Sequence, residues 1–180
     1  MKGRPAGSFT RENILKIVAA LGISYGYEIY KIYREFFGRI TLRNVYYNLR
    51  KGVELLQLAE VGAQEILGNF TWGRVVERKY YILGPLSKIN DAEVEELRIR
   101  IKGENTANLK INWESLSKKY YNFILEELRK IEGKRRLQRG EVRNFEEKVN
   151  SILNWLGYHD IRIENLIKQN LENLKGRFRL

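Results

Sequence analysis

Apolar positions recur at helical spacing over the first fifty residues and then shift to alternation. Ile14, Ile17, Val18 and Leu21 mark one face of a first helix, with Thr10 placed to cap it and Gly22 to end it. Ile29, Ile32, Tyr33 and Phe36 repeat the pattern in a second helix, with Ser24 as its expected cap and Phe37-Gly38-Arg39 as its break. Thr41 is placed to cap a third helix from Leu42 to Lys51, closed by Gly52, whose buried face is expected to be Leu42, Val45, Tyr46 and Leu49. From Leu56 the period drops to two: Leu56, Leu58, Glu60 and Gly62 alternate with Gln57, Ala59 and Val61. Gly68-Asn69 and Trp72-Gly73 are turn signals, and Val75 to Leu83 is β-branched and aromatic enough for a returning strand.

Helix, helix, helix, strand, glycine-bearing loop, strand is the order of a winged helix, a helix-turn-helix with a β-hairpin appended. Gly84-Pro85 marks a boundary, and beyond it helices are expected near 91–101, 113–132, 141–156 and 161–175. The expected fold is mainly α with a small β-hairpin, an N-terminal winged helix-turn-helix followed by a C-terminal helical domain. Three regions follow: a flexible basic arm at 1–9, a winged-helix nucleic-acid-binding domain at 10–84, and a helical dimerisation or interaction domain at 90–180. The helical region is rich in apolar residues, with Leu116, Tyr120, Phe123, Ile124, Leu128 and Ile131 on one helix and Val142, Phe145, Val149, Ile152, Leu153 and Leu156 on the next. Most of this supply builds the domain's own core; the surplus is expected to pair two copies as a homodimer.

Charge narrows the function. The 180 residues carry a net +11, of which +7 falls in residues 1–90. A field of that sign attracts polyanions. Chemistry is not indicated. Cysteine is absent and His159 is the only histidine, so the common zinc sites cannot be assembled, and neither a metal nor a cofactor is implied. No glycine spacing matches a phosphate loop, and adjacent acids such as Glu95-Glu96 and Glu126-Glu127 diverge on a helix. An enzyme is not expected. Met1 to Ser8 lacks the apolar stretch of a signal peptide, and no apolar run is long enough to span a bilayer, so a cytoplasmic protein without membrane contact is expected.

The third helix is the natural reader. Opposite its apolar stripe stand Thr41, Arg43, Asn44, Tyr47, Arg50 and Lys51. Arginine pairs bidentately with guanine and asparagine with adenine, and a reading helix touches bases mainly through its N-terminal half. Arg43 and Asn44 are therefore the base-reading candidates, and Arg50 and Lys51 the phosphate contacts. Asn69, Thr71, Arg74, Arg78 and Lys79 offer wing contacts to phosphates or a minor groove, and Trp72 either folds onto the wing or stacks on a base. In the arm, Lys2 and Arg4 sit in a Lys-Gly-Arg-Pro that resembles a minor-groove AT-hook core, with Ala6 where a second Arg usually follows. Lys134, Arg135, Arg136 and Arg139 form a further basic cluster, read either as a solvated loop or as auxiliary phosphate contacts.

Three stretches carry a family resemblance. Tyr25-Gly26-Tyr27-Glu28-Ile29 resembles the opening of the second helix in PadR-like winged-helix regulators, Val45-Tyr46-Tyr47-Asn48-Leu49 their recognition helix, and Arg78-Lys79-Tyr80-Tyr81-Ile82-Leu83 their wing strand. The match spans residues 10–84. Tyr47 and Asn48 stand where the family has proline or a small residue, and Gly84-Pro85 where its wing runs into another helix. The resemblance implies a homodimeric regulator of transcription bound to duplex DNA and paired through C-terminal helices. Two other readings stay open: a factor bound to rRNA or a ribosomal subunit through the winged helix and the basic patches, and an adaptor that binds protein.

Overall fold

The computed structural model describes residues 8–70, 73–101, 109–134 and 139–157, and the isolated positions 165, 167–169, 172, 173 and 176. The chain divides into two compact units, Met1–Ile111 and Asn112–Leu180.

In the first unit, α1 (Phe9–Leu21) leads to a two-residue strand β1 (Ser24–Tyr25), then α2 (Gly26–Phe36), α3 (Leu42–Glu54), the long strands β2 (Leu58–Phe70) and β3 (Gly73–Leu83), and α4 (Asp91–Arg100). The sheet is antiparallel in the order β1-β3-β2, with Tyr25 opposite Tyr80 and Leu58 opposite Leu83. Three helices followed by a hairpin, with a short strand completing the sheet, make a winged helix. Its core joins Ile14, Ile17 and Val18 to Ile29, Val45, Leu49, Leu58 and Tyr81.

Several local expectations change. Helix α1 starts at Phe9, so Thr10 lies inside its first turn and Ser8 stands at the cap position without a side-chain cap bond. Ser24 does not cap α2 either: it is fully buried in β1 opposite Tyr81, its hydroxyl has no hydrogen-bond partner, and Tyr25 holds the cap position in extended backbone. The third strand draws both residues into pairing before the helix can use them. Gly52 does not end α3 but lies buried within it, where a Cβ would come within 2.7 Å of Leu58 Cδ1. The turn falls instead at Leu56, which takes a left-handed φ of 56° while its side chain stays buried. Gly68-Asn69, expected as a turn signal, lies within β2, which continues past Gly62 because Gln64, Ile66 and Leu67 find cross-strand partners in Arg78, Val76 and Val75.

The expected division near Gly84-Pro85 also moves. Helix α4 belongs to the first unit, since Val94 and Leu97 are buried, Glu93 pairs with Lys16, and Arg98 reaches the Ala19 carbonyl of α1 at 3.4 Å.

The second unit contains α5 (Trp113–Glu132) and α6 (Arg139–Leu156). Asn112 caps α5 by accepting from the Ser115 N–H at 2.9 Å. Tyr120 stacks edge-on against Trp155, and Glu127 meets Lys148, so the two helices run antiparallel. Leu116, Tyr120, Ile124 and Leu128 of α5 and the six apolar residues expected on α6 are buried. Trp113, Tyr121, Phe123, Leu125 and Ile131 are half-buried. The expected helix at 161–175 falls largely outside the described residues; the positions described there are helical, and Ile167 is buried.

Candidate nucleic-acid interface

Helix α3 positions the candidate reading face. The Thr41 side chain accepts from the Asn44 N–H at 3.2 Å, so its hydroxyl is committed to the cap. The buried row is Val45, Asn48, Leu49 and Gly52. Tyr46, expected in that row, is 46% exposed, and Asn48 takes the inner place. Both rows obey helical spacing; hydrophobicity favoured the wrong one. Asn48 satisfies its buried amide by donating to the Asn44 carbonyl at 2.9 Å and to Asn44 Oδ1 at 2.8 Å. Asn44 is exposed, but its carboxamide is thereby oriented from below.

Arg43, Asn44, Tyr47 and Arg50 all face solvent, as expected. Arg43 has no ion pair among the described residues. The Arg50 guanidinium lies 5.9 Å from the Tyr47 ring centre and 3.8 Å from Glu54, while Lys51 Nζ is 2.6 Å from the same carboxylate. The hydrogen bond from Lys51 holds the Glu54 carboxyl below the usual carboxylate range. Glu54, which the sequence reading passed over, thus competes with any phosphate for both expected contacts. Its spacing of three and four residues from Lys51 and Arg50 was the available signal.

The wing sorts its cations by alternation. Arg74, Val76 and Arg78 share one face of β3, while Val75, Glu77 and Lys79 share the other. On the first face the Arg78 guanidinium lies 4.4 Å from the ring centre of Tyr25, which in turn packs edge-on against Tyr80. On the second face Lys79 pairs with Glu60 at 3.2 Å, and Glu65 stands directly opposite Glu77. Arg74 is exposed and has no ion pair among the described residues. Arg74 and Arg78 therefore share a face of the wing that the like-charged pair Glu65 and Glu77 does not occupy. Leu67 and Val75, paired across the strands near the tip, are 80% and 50% exposed.

Between the start of α2, α3 and β3 lies a cavity of about 320 Å³, lined by Tyr25, Tyr27, Leu42, Tyr46, Val76 and Arg78, among others. Gly26 makes its wall possible: a Cβ there would come within 2.5 Å of Cε1 of Tyr46, so only glycine lets that ring lie against the backbone. Burial pushes the Tyr46 phenol above its ordinary value, and pushes Tyr81 up to about 12.

Lys134 lies in the second unit and pairs with Glu141 at 2.6 Å. Lys2, Arg4, Thr71, Trp72, Arg135 and Arg136, and the side chains of Asn69 and Arg139, fall outside the described residues, as does His159. Among the described residues no group of three or more His, Asp or Glu is placed to hold a metal ion, and no helix is long and apolar enough to cross a membrane.

No family profile matches the chain, and no curated protein matches it. Among solved structures it is similar to the crystal structure of Bacillus subtilis PadR in complex with operator DNA, at 13% identity over 91% of this chain and 99% of that one, with a TM-score of 0.33.

Proposed function

We propose that this chain is a PadR-like, homodimeric regulator of transcription that binds duplex DNA. Arg43 and Asn44 read base edges from the first turn of α3, while Tyr47, Arg50 and Lys51 follow the groove toward the backbone. Arg74 and Arg78 meet phosphates from the wing, and Lys2 and Arg4 add to the basic field. The observation that carries the reading is the two-sided build of α3, an exposed row of Arg43, Asn44, Tyr47 and Arg50 backed by the buried row of Val45, Asn48, Leu49 and Gly52. A helix so presented fits the major groove of B-DNA, about 12 Å wide, whereas the A-form RNA groove is too deep and narrow for side chains to read. The half-buried aromatic and aliphatic residues of α5 are the surface offered to a second copy.

The test is to recover the protein from its host at native abundance, sequence the DNA that accompanies it, and measure binding to those fragments by anisotropy across a salt series. Enrichment of a few two-fold symmetric fragments, bound with a steep salt dependence, is expected. Co-sedimentation with ribosomal subunits and no enriched DNA overturns the reading. A monomer by light scattering at micromolar concentration removes the dimer.

A further inference from the structure

The cavity between α2, α3 and β3 is not needed for a helix to sit in a groove, and its walls are chemically specific. Three tyrosines, Tyr25, Tyr27 and Tyr46, supply rings, and the Arg78 guanidinium already lies over one of them. Aromatic and guanidinium planes stack on flat heteroaromatic faces. Leu42 and Val76 contribute apolar wall. The volume, about 320 Å³, lies at the lower end of small-ligand sites, which run from roughly 300 to 1,000 Å³.

We propose that this cleft holds one unstacked nucleobase together with its phosphate. The base lies among the tyrosine rings, and the phosphate sits toward Arg78. The same chemistry arrives from two sources, a free mononucleotide or a single extrahelical base on a bound strand. Only the second source rests on the DNA-binding reading above.

The full-length chain is titrated with 2-aminopurine riboside 5′-monophosphate and, separately, with a duplex carrying one bulged 2-aminopurine. Anisotropy of the fully paired duplex is measured in parallel. Quenching of the free nucleotide assigns the first source, and quenching of the bulge alone assigns the second. Tyr46→Ala removes a wall and is expected to weaken the quenched probe roughly tenfold. Gly26→Ala, whose new methyl drives the Tyr46 ring off its seat, is expected to weaken it comparably. Should Gly26→Ala melt far below the parent, Val76→Trp replaces it and fills the cleft from the strand side. A paired duplex that binds while neither probe is quenched overturns the pocket and leaves the DNA reading standing. A quenched free nucleotide with no duplex binding does the reverse. Variants that bind the quenched probe as tightly as the parent also overturn the pocket.

Discussion

Glu54→Gln is expected to make DNA binding tighter at low salt and more sensitive to salt. The substitution keeps the length of the side chain and removes only its charge. In the parent, one carboxylate serves two cations, with Lys51 Nζ at 2.6 Å and Arg50 Nε at 3.8 Å. Each phosphate neutralised on B-DNA contributes about −0.9 to the slope of log K against log salt. Releasing one cation therefore steepens the slope by about 0.9, and releasing both by about 1.8. Over a fourfold rise in salt, roughly 50 to 200 mM, the variant loses an extra ~3.5- to ~12-fold in affinity relative to the parent. Fluorescence anisotropy of a labelled duplex at several salt concentrations measures it. Lys51→Ala in the parent background is the control: because Lys51 is already paired, it flattens the slope by less than the unit expected for a free lysine. Acidification does not imitate the variant. The depressed Glu54 pKa means that its charge is lost only as pH falls through that lowered value, so Arg50 and Lys51 stay paired at pH 5. A Glu54→Gln slope equal to the parent's refutes the placement of this end of α3 on the DNA backbone.

Other outcomes are equally specific. Arg43→Ala should blur discrimination at one base position by ~1–3 kcal/mol and leave others intact, checked by competition among single-position variants of the site. Gly52→Ala pushes a methyl to within 2.7 Å of the fully buried Leu58 and should cost ~1–3 kcal/mol in chemical denaturation. Glu77→Lys turns the like-charged pair with Glu65 into an attractive one and should stabilise the hairpin by ~0.2–1 kcal/mol, seen as slower amide exchange in the wing. Tyr81 and Tyr120, both raised to about 12 by burial, keep their protons in the folded state after an unfolded chain would lose them near pH 10. Their contribution is complete below pH 10 and is lost as pH rises toward 12, so the melting temperature should fall across that window; Tyr120→Phe should lessen the fall.

The parts of the fold that local pattern controls were legible. The three helices, the Thr41 cap and the returning strand follow from spacing and end signals that each element carries in itself. What escaped was decided by distant partners. Ser24 reads as a cap until Tyr81, far along the chain, pairs with it. Helix α4 looks like part of the tail until Lys16 and Ala19 are seen to hold it. The face of α3 was misjudged by one position because an asparagine and a glycine do the work of core residues: Asn48 bonds back along its own helix, and Gly52 makes room for Leu58. The outward row of the candidate site survived that error because Arg43, Tyr47 and Arg50 lie outside under either assignment. The cavity was invisible in sequence, since it depends on a glycine between two tyrosines meeting a third ring from another helix.

The link from Asn48 to Asn44 constrains how this protein can change its target over evolutionary time. A side chain on a reading helix is ordinarily a free variable, altered one mutation at a time as binding sites drift. Here, replacing Asn44 by a residue without an acceptor strands one N–H of the Asn48 amide, a loss of ~1–3 kcal/mol for a buried donor. The route to a new preference at position 44 therefore passes through position 48 first, where a small apolar residue would uncouple the two. Until that happens, lineages carrying both asparagines are expected to diversify their sites through Arg43 and Tyr47, which answer to nothing beneath them, and to hold position 44 fixed.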